Sequence, residues 1–290
     1  MSDKIFSKVI LSGEHSVLRG GYAVVAPNKN YYLDYDLETA EEFKLTLSDN
    51  VKPYEVLFLG LIESALALSK VKKQDLKCTV RVQNMVPLGE GLGGSAALCV
   101  FISRVFLFAN ILEDDEVFSF AHEIENVFHG QSSGLDVAGC MSDQIILYQR
   151  GVKKIQELDL KLSGYVFTIH QSGEKGETKD CIEKVLKLRE IDKDSFNALD
   201  DRMSEASLKI KEGFEVCDLD AVVESFKEST NIFKEWRLVP VSIEKRMNHL
   251  EREGALATRL TGSGMGGCIV AFWPKETLPQ AYENYVFLKI

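Results

Sequence analysis

Residues 87–97, PLGEGLGGSAA, limit what this chain can fold into more than any other segment. Gly89, Gly91, Gly93 and Gly94 lie between an alternating run, CTVRVQN at 78–84, and an apolar stretch that begins near Ser95. Glycine accepts positive φ and close backbone approach, so successive N–H groups can converge on one anion. A helix starting at Ser95 adds roughly half a positive charge at the same point. Two readings follow: a cradle for phosphate, or a plain turn joining strand to helix. The segment is not a Walker loop, and it lacks the dinucleotide-binding spacing of glycines. Charge narrows the ligand class. Asp and Glu outnumber Lys and Arg by 44 to 34, a formal net charge of -10. That argues against a polyanion such as nucleic acid, yet leaves room for a small anion in a locally positive site.

The rest of the chain alternates between two periods. Strands are expected at 5–12, 22–26, 31–37, 43–48 and 78–84, and helices from Pro53 to about Ser69, at 95–110 and at 114–127. The stretch AALCVFISRVFLFA is apolar nearly all round, as a buried helix is. Beyond it, strands are expected at 144–149, 153–159 and 165–170, then helices at 178–191, 193–213, 218–235 and 241–253. The end returns to strand at 256–261, 267–272 and 285–290. This order implies an α+β architecture of two layered domains, 1–160 and 161–290. With 45% apolar residues the chain can build a real core, yet no run approaches the roughly 20 residues of a membrane span. The opening MSDKIFSKVILSGEH carries no signal-peptide pattern, and the six cysteines form no CxxC pair. Reduced thiols and a cytoplasmic location are the expectation.

Three further segments carry chemistry. In ENVFHGQSSGLD, 125–136, Glu125 and Asp136 flank a glycine-containing turn. A carboxylate beside bound phosphates can hold Mg²⁺, and a second can accept a proton from an attacking alcohol. The alternative is an exposed helix charge at Glu125 and a helix cap at Asp136. RLTGSGMGGCIVAF, 259–272, is a second glycine turn, either pressed on a phosphate or simply a tight hairpin. SKVILSGEHSVL, 7–18, runs from a strand into Ser-Gly-Glu-His, with Lys8 able to reach an anion or to lie along a sheet edge.

Taken in this order, the four segments resemble the GHMP small-molecule kinases across the whole chain. GEHSVL and FHGxxSGLD are most similar to the mevalonate kinase branch of that superfamily. The resemblance implies a two-domain fold, with an N-terminal mixed sheet and helices and a C-terminal ferredoxin-like α/β sandwich. It implies ATP-dependent phosphorylation of mevalonate's primary hydroxyl, a step of isoprenoid biosynthesis, with Mg²⁺. By the same resemblance Gly89, Gly91, Leu92, Gly93, Gly94 and Ser95 wrap the ATP phosphates, and Ser95 and Glu125 hold the metal. Asp136 is the catalytic base, and Lys8 lies near it and the substrate hydroxyl. Glu14, His15 and Thr178 line the substrate pocket, and Gly262, Ser263 and Gly264 close over the reaction centre. Other acceptors, phosphomevalonate or a sugar, stay open, as do a non-catalytic ligand sensor of this fold and a homodimer.

A magnitude shapes the mechanism that the resemblance implies. An alcohol titrates near water's value of about 15.7 and an ordinary aspartate near 3.9, so forming an alkoxide beforehand costs about 16 kcal/mol. The carboxylate therefore orients the hydroxyl and takes its proton late. The chain departs from the superfamily pattern at Gly94 (usually serine), at Ser132 and Ser133, and at Met265 (usually glycine). Glu90 adds an acid inside the phosphate loop, where its side chain is expected to face solvent.

Overall fold

Alternation and helical periodicity are realised in an ordered series of elements. The computed structural model describes residues 1–152 and 155–289, with Phe128 and His129 described by their backbone. In chain order these are β1 (Ser2–Ser12), β2 (Tyr22–Thr39), β3 (Lys44–Leu47), α1 (Glu55–Ser69), β4 (Cys78–Asn84), α2 (Gly94–Phe108), α3 (Val117–His129) and α4 (Leu135–Met141). Then follow β5 (Ile146–Gln149), β6 (Gln156–Glu157), β7 (Tyr165–Gln171), α5 (Thr178–Ile191), α6 (Lys193–Val216), α7 (Leu219–Glu235), α8 (Val241–Arg252), β8 (Ala257–Thr261), β9 (Cys268–Pro274) and β10 (Val286–Lys289). The expected strand at 153–159 begins on Lys153 and Lys154, which lie outside the described residues. The last residue of the strand expected at 285–290, Ile290, does so too. Among the described residues no helix is long and apolar enough to cross a membrane.

One expectation is corrected. Residues 22–26 and 31–37 form one strand, β2, instead of two. Pro27 has no N–H to give a ladder, but it falls between two paired stretches. Tyr22–Val25 pair with β5, and Asp34–Thr39 pair with β4. Asn28 is buried, and its carbonyl accepts from the Ser7 hydroxyl at 3.0 Å. Tertiary pairing thus carries the chain through a Pro-Asn step that reads locally as a turn.

The chain separates into two compact units. The first comprises Met1–Ser7, Asn28–Leu88 and Gly93–Asp143. There β2 pairs antiparallel with β4, and β3 pairs parallel with β4. α2 is buried almost all round because its Phe101 packs edge-on against Tyr35 of β2 and Phe58 of α1. Each such ring removed from water contributes about 2 kcal/mol or more.

The second unit comprises Lys8–Pro27, Gly89–Leu92 and the chain from Gln144 onward. Its four-stranded antiparallel sheet runs β10-β7-β9-β8. Alternation splits its side chains between two cores. Phe167 stacks with both Phe272 of β9 and Phe226 of α7. The alternate set, Val166, Leu260, Ile269, Ala271 and Trp273, packs with Cys181 and Val185 of α5 and Ile243 and Met247 of α8. Mixed sheet, helices and an antiparallel C-terminal sheet make this an α+β chain, as expected.

Candidate functional site

In the second unit the two glycine turns meet backbone to backbone. A β-carbon on Gly91 would lie 3.4 Å from the Thr261 carbonyl, and one on Gly267 would lie 3.3 Å from that of Glu90. The 259–272 segment forms the hairpin the sequence allowed, with Thr261 opposite Cys268, and its turn is a platform under Gly89–Leu92. Lys8, only 1% exposed, fastens the loop from β1. Its backbone N–H donates to the Leu92 carbonyl at 3.1 Å, and its Nζ donates to the Gly91 carbonyl at 3.3 Å. Glu90 is half-buried and accepts from the Gln171 side chain at 3.2 Å, so its charge is held at the exposed rim.

Gly13-Glu14-His15 sits against the same platform. Glu14 Oε2 accepts from Arg259 Nη2 at 2.5 Å, and Oε1 accepts from the Gly262 N–H at 3.2 Å. Burial pushes the Glu14 carboxyl up, against the opposing pull of the Arg259 guanidinium. His15 lies 2.8 Å from the Ser263 carbonyl through Nε2. A carbonyl only accepts, so Nε2 carries the proton and donates. The ring packs edge-on against Phe233 and Trp236, and His15 takes φ +63°, a backbone value that favours glycine. Thr178, the first residue of α5, is exposed, with its hydroxyl 3.4 Å from that of Ser263. Met265 takes φ +62°, which explains why glycine is the usual residue there.

Burial holds His15 down at about 4, and His170 of β7 at about 4 as well. The unfolded chain binds these protons near pH 6.5. Stabilisation by the neutral rings is thus complete above pH 6.5 and lost as pH falls toward 4, by about 3 kcal/mol per ring. Urea melts at pH 7, 5.5 and 4 should show this loss, with His170→Gln removing about half of the histidine share. A profile unchanged by that substitution would refute the assignment.

In the first unit, Gly93 is the N-cap of α2, and Gly94 and Ser95 open the helix. A β-carbon on Gly94 would lie 2.7 Å from the Pro87 carbonyl, so the turn that enters α2 excludes the usual serine. Ser95 is half-buried, and Cys99 lies one turn further on the same face. Burial pushes the Cys99 thiol above its usual range, and the negative charge of Glu125 adds to the shift. α3 therefore brings Glu125, 2% exposed, near Cys99 of α2. The Ser132 hydroxyl donates to Glu125, and the Ser132 N–H donates to Asn126 Oδ1 at 2.7 Å. The Ser132–Ser133 departure thus anchors the turn between α3 and α4.

Asp136 lies within the first turn of α4, which starts at Leu135 with Gly134 as cap, two residues earlier than a cap at Asp136 would imply. Around it Leu135, Val137, Ala138, Gly139 and Cys140 are all buried, while Asp136 is half-buried. Cys140, one turn on, donates to the Gly93 carbonyl at 3.6 Å, so α4 directs this face at the start of α2. Ser95 and Glu125 offer hard oxygen donors. Among the described residues no group of three or more His, Cys, Asp or Glu forms a metal cage. A hydroxyl and one carboxylate fit Mg²⁺, which usually keeps most of its ligands as water and substrate phosphate.

Two features escaped the sequence. Arg259 opened a segment read for its glycines, and its partner Glu14 stands 245 residues away, so no local pattern marks the pair. Helix α4 was visible only as a possible cap at Asp136.

The first unit overlaps a match to the family model "GHMP kinases N terminal domain" at residues 60–144, and the second a match to "GHMP kinases C terminal" at 223–286. The mevalonate kinase of Aeropyrum pernix is 26% identical over 304 residues, covering 96% of this chain and 90% of that protein. The crystal structure of L. major mevalonate kinase in complex with R-mevalonate aligns with a TM-score of 0.75 at 22% identity, over 94% of this chain and 86% of that one. The Methanococcus jannaschii mevalonate kinase aligns with a TM-score of 0.74 at 20% identity, over 96% and 92%. At these identities the solved structures establish the fold. The two family models, matched in order over about half of the chain, carry the assignment further: this chain belongs to the GHMP kinases, and its relatives here are mevalonate kinases.

Proposed function

We propose that this kinase transfers the γ-phosphoryl group of ATP to the primary hydroxyl of mevalonate, giving mevalonate 5-phosphate. The observation that carries the reading is the start of α2, where a glycine turn opens a buried helix and α3 and α4 direct Glu125 and the Asp136 face toward it. In the first unit, N–H groups of Gly93, Gly94 and Ser95 receive phosphate oxygens at a helix N-terminus. Ser95 and Glu125 hold Mg²⁺, which when bound neutralises phosphate charge. Asp136 orients the acceptor hydroxyl and takes its proton late in the transfer. In the second unit, Gly89, Gly91 and Leu92 bare N–H groups for phosphate oxygens, and Lys8 supplies positive charge beside them. Gly262, Ser263 and Gly264 form the turn beside that loop, with the Ser263 hydroxyl 3.4 Å from that of Thr178. Positioning contributes most of the acceleration.

A coupled ADP-release assay with mevalonate, phosphomevalonate, galactose and homoserine tests this. The expected result is turnover of mevalonate at least about 100-fold above the others, a gap of about 3 kcal/mol in transition-state binding. Preferred turnover of another acceptor overturns the mevalonate reading, and turnover of none overturns the catalytic one.

A further inference from the structure

The Gly-Glu-His segment faces inward, and its polar atoms are already engaged. Glu14 is 4% exposed and His15 5%. Both Glu14 oxygens are occupied, one by Arg259 and one by the Gly262 N–H, while His15 Nε2 donates to the Ser263 carbonyl. From the other side, the Met265 N–H donates to the Leu238 carbonyl at 2.8 Å, and a β-carbon on Gly264 would lie 2.7 Å from Leu238 Cβ. The turn is thus gripped along both edges, and Glu14 and His15 form one of them.

Arg259 is the residue that makes this grip specific. It is 1% exposed, its Cζ lies 5.3 Å from the Phe233 ring centre, and its Nε and Nη1 have no hydrogen-bond partner among the described residues. A buried guanidinium with a single bonded partner is a poor way to add stability, because removing two charges from water costs as much as the pair recovers. What such a pair supplies is orientation. The cation fixes Glu14 Oε2, which leaves Oε1 as the acceptor at the Gly262 N–H. That N–H therefore points inward, and the turn's remaining groups keep one arrangement.

We propose that Arg259 is a positioning residue which, through Glu14, sets the Gly262–Gly264 turn for phosphoryl transfer, and that Glu14 and His15 grip backbone instead of binding the acceptor. This rests on the kinase reading above. It also predicts a rescue. Glutamine at 14 keeps an acceptor for Gly262 but needs no cation.

The test is a double-variant cycle of R259M, E14Q and E14Q/R259M, with R259K as the milder change. R259M, with Glu14 left buried and uncompensated, should lose at least tenfold in kcat, with KM for ATP changed less than threefold. E14Q/R259M should regain at least half of that loss on a logarithmic scale. Amide exchange across 259–266 reads the grip without turnover. It should quicken at least tenfold at 262–264 in R259M and slow again in the double variant. A folded double variant as slow as R259M in both readouts overturns the proposal, and so does unchanged kcat and exchange in R259M. If the methionine variants do not fold, R259K decides. A kcat at least threefold lower with unaltered KM for ATP supports the grip, and an unchanged kcat overturns it. Should the wild-type protein turn over no acceptor, the kinase reading fails, and exchange alone decides whether Arg259 sets the turn.

Discussion

Asp136→Asn should remove nearly all turnover, by a factor of about 10³, while ATP binding is kept. Asparagine preserves the shape and the hydrogen-bonding reach of the side chain but takes no proton from an alcohol. The fold should tolerate the change. Asp136 sits in the first turn of α4, where a carboxylate gains only about 0.3–1 kcal/mol from the helix N-terminus. It is also the half-buried member of a turn whose neighbours are all buried. Saturating kinetics with mevalonate and calorimetric titration with ATP separate the outcomes. Near-normal kcat excludes Asp136 as the base, and loss of ATP binding moves it from the acceptor side to the nucleotide side.

Gly13→Ala should cost about 4 kcal/mol or more, a large share of a typical total of about 5–15. Gly13 has φ +103°, and a β-carbon there would lie 2.3 Å from Ala23 Cα and 2.4 Å from the Tyr22 carbonyl. Those atoms belong to β2, which is tied to β5, so neither can swing aside as a flexible side chain would. Gly20 supplies the control. Its φ is +94°, but nothing lies within 4 Å of its added β-carbon. Gly20→Ala therefore carries only the backbone strain, about 1–2 kcal/mol. Urea midpoints of the two variants check the contrast. A Gly13→Ala protein within 1 kcal/mol of the wild type would refute the close approach.

Much of the fold was legible because the local signals agree with the tertiary ones. CTVRVQN alternates and becomes β4, and the stretch from Ser95, apolar nearly all round, becomes the buried α2. The long C-terminal helices follow from apolar faces at helical spacing with Glu and Lys outside. Reading failed where tertiary pairing overrode a local breaker, as at Pro27–Asn28 within β2. It failed again at α4, whose seven residues are too few for a period to show. The candidate site divides the same way. The glycine turns, Glu125 and Asp136 stood out by residue type and order, whereas Arg259 looked like one charge in a strand.

By itself the sequence determined which residue types are available and in what order: glycine turns that bare N–H groups, a hydroxyl and two carboxylates after the first of them, and one lysine ahead of them all. It also determined that an acidic chain could still hold a small anion, because backbone dipoles and one cation act locally while net charge acts on large partners. Only the tertiary structure decided which of those groups are held and by what. It put Gly89–Leu92 on the 261–267 turn, buried Lys8 against that loop, and paired Glu14 with an arginine 245 residues on. The reason is physical. Periodicity and turn chemistry are properties of neighbours along the chain, but a buried charge is tolerable only beside a partner, and folding alone brings that partner near.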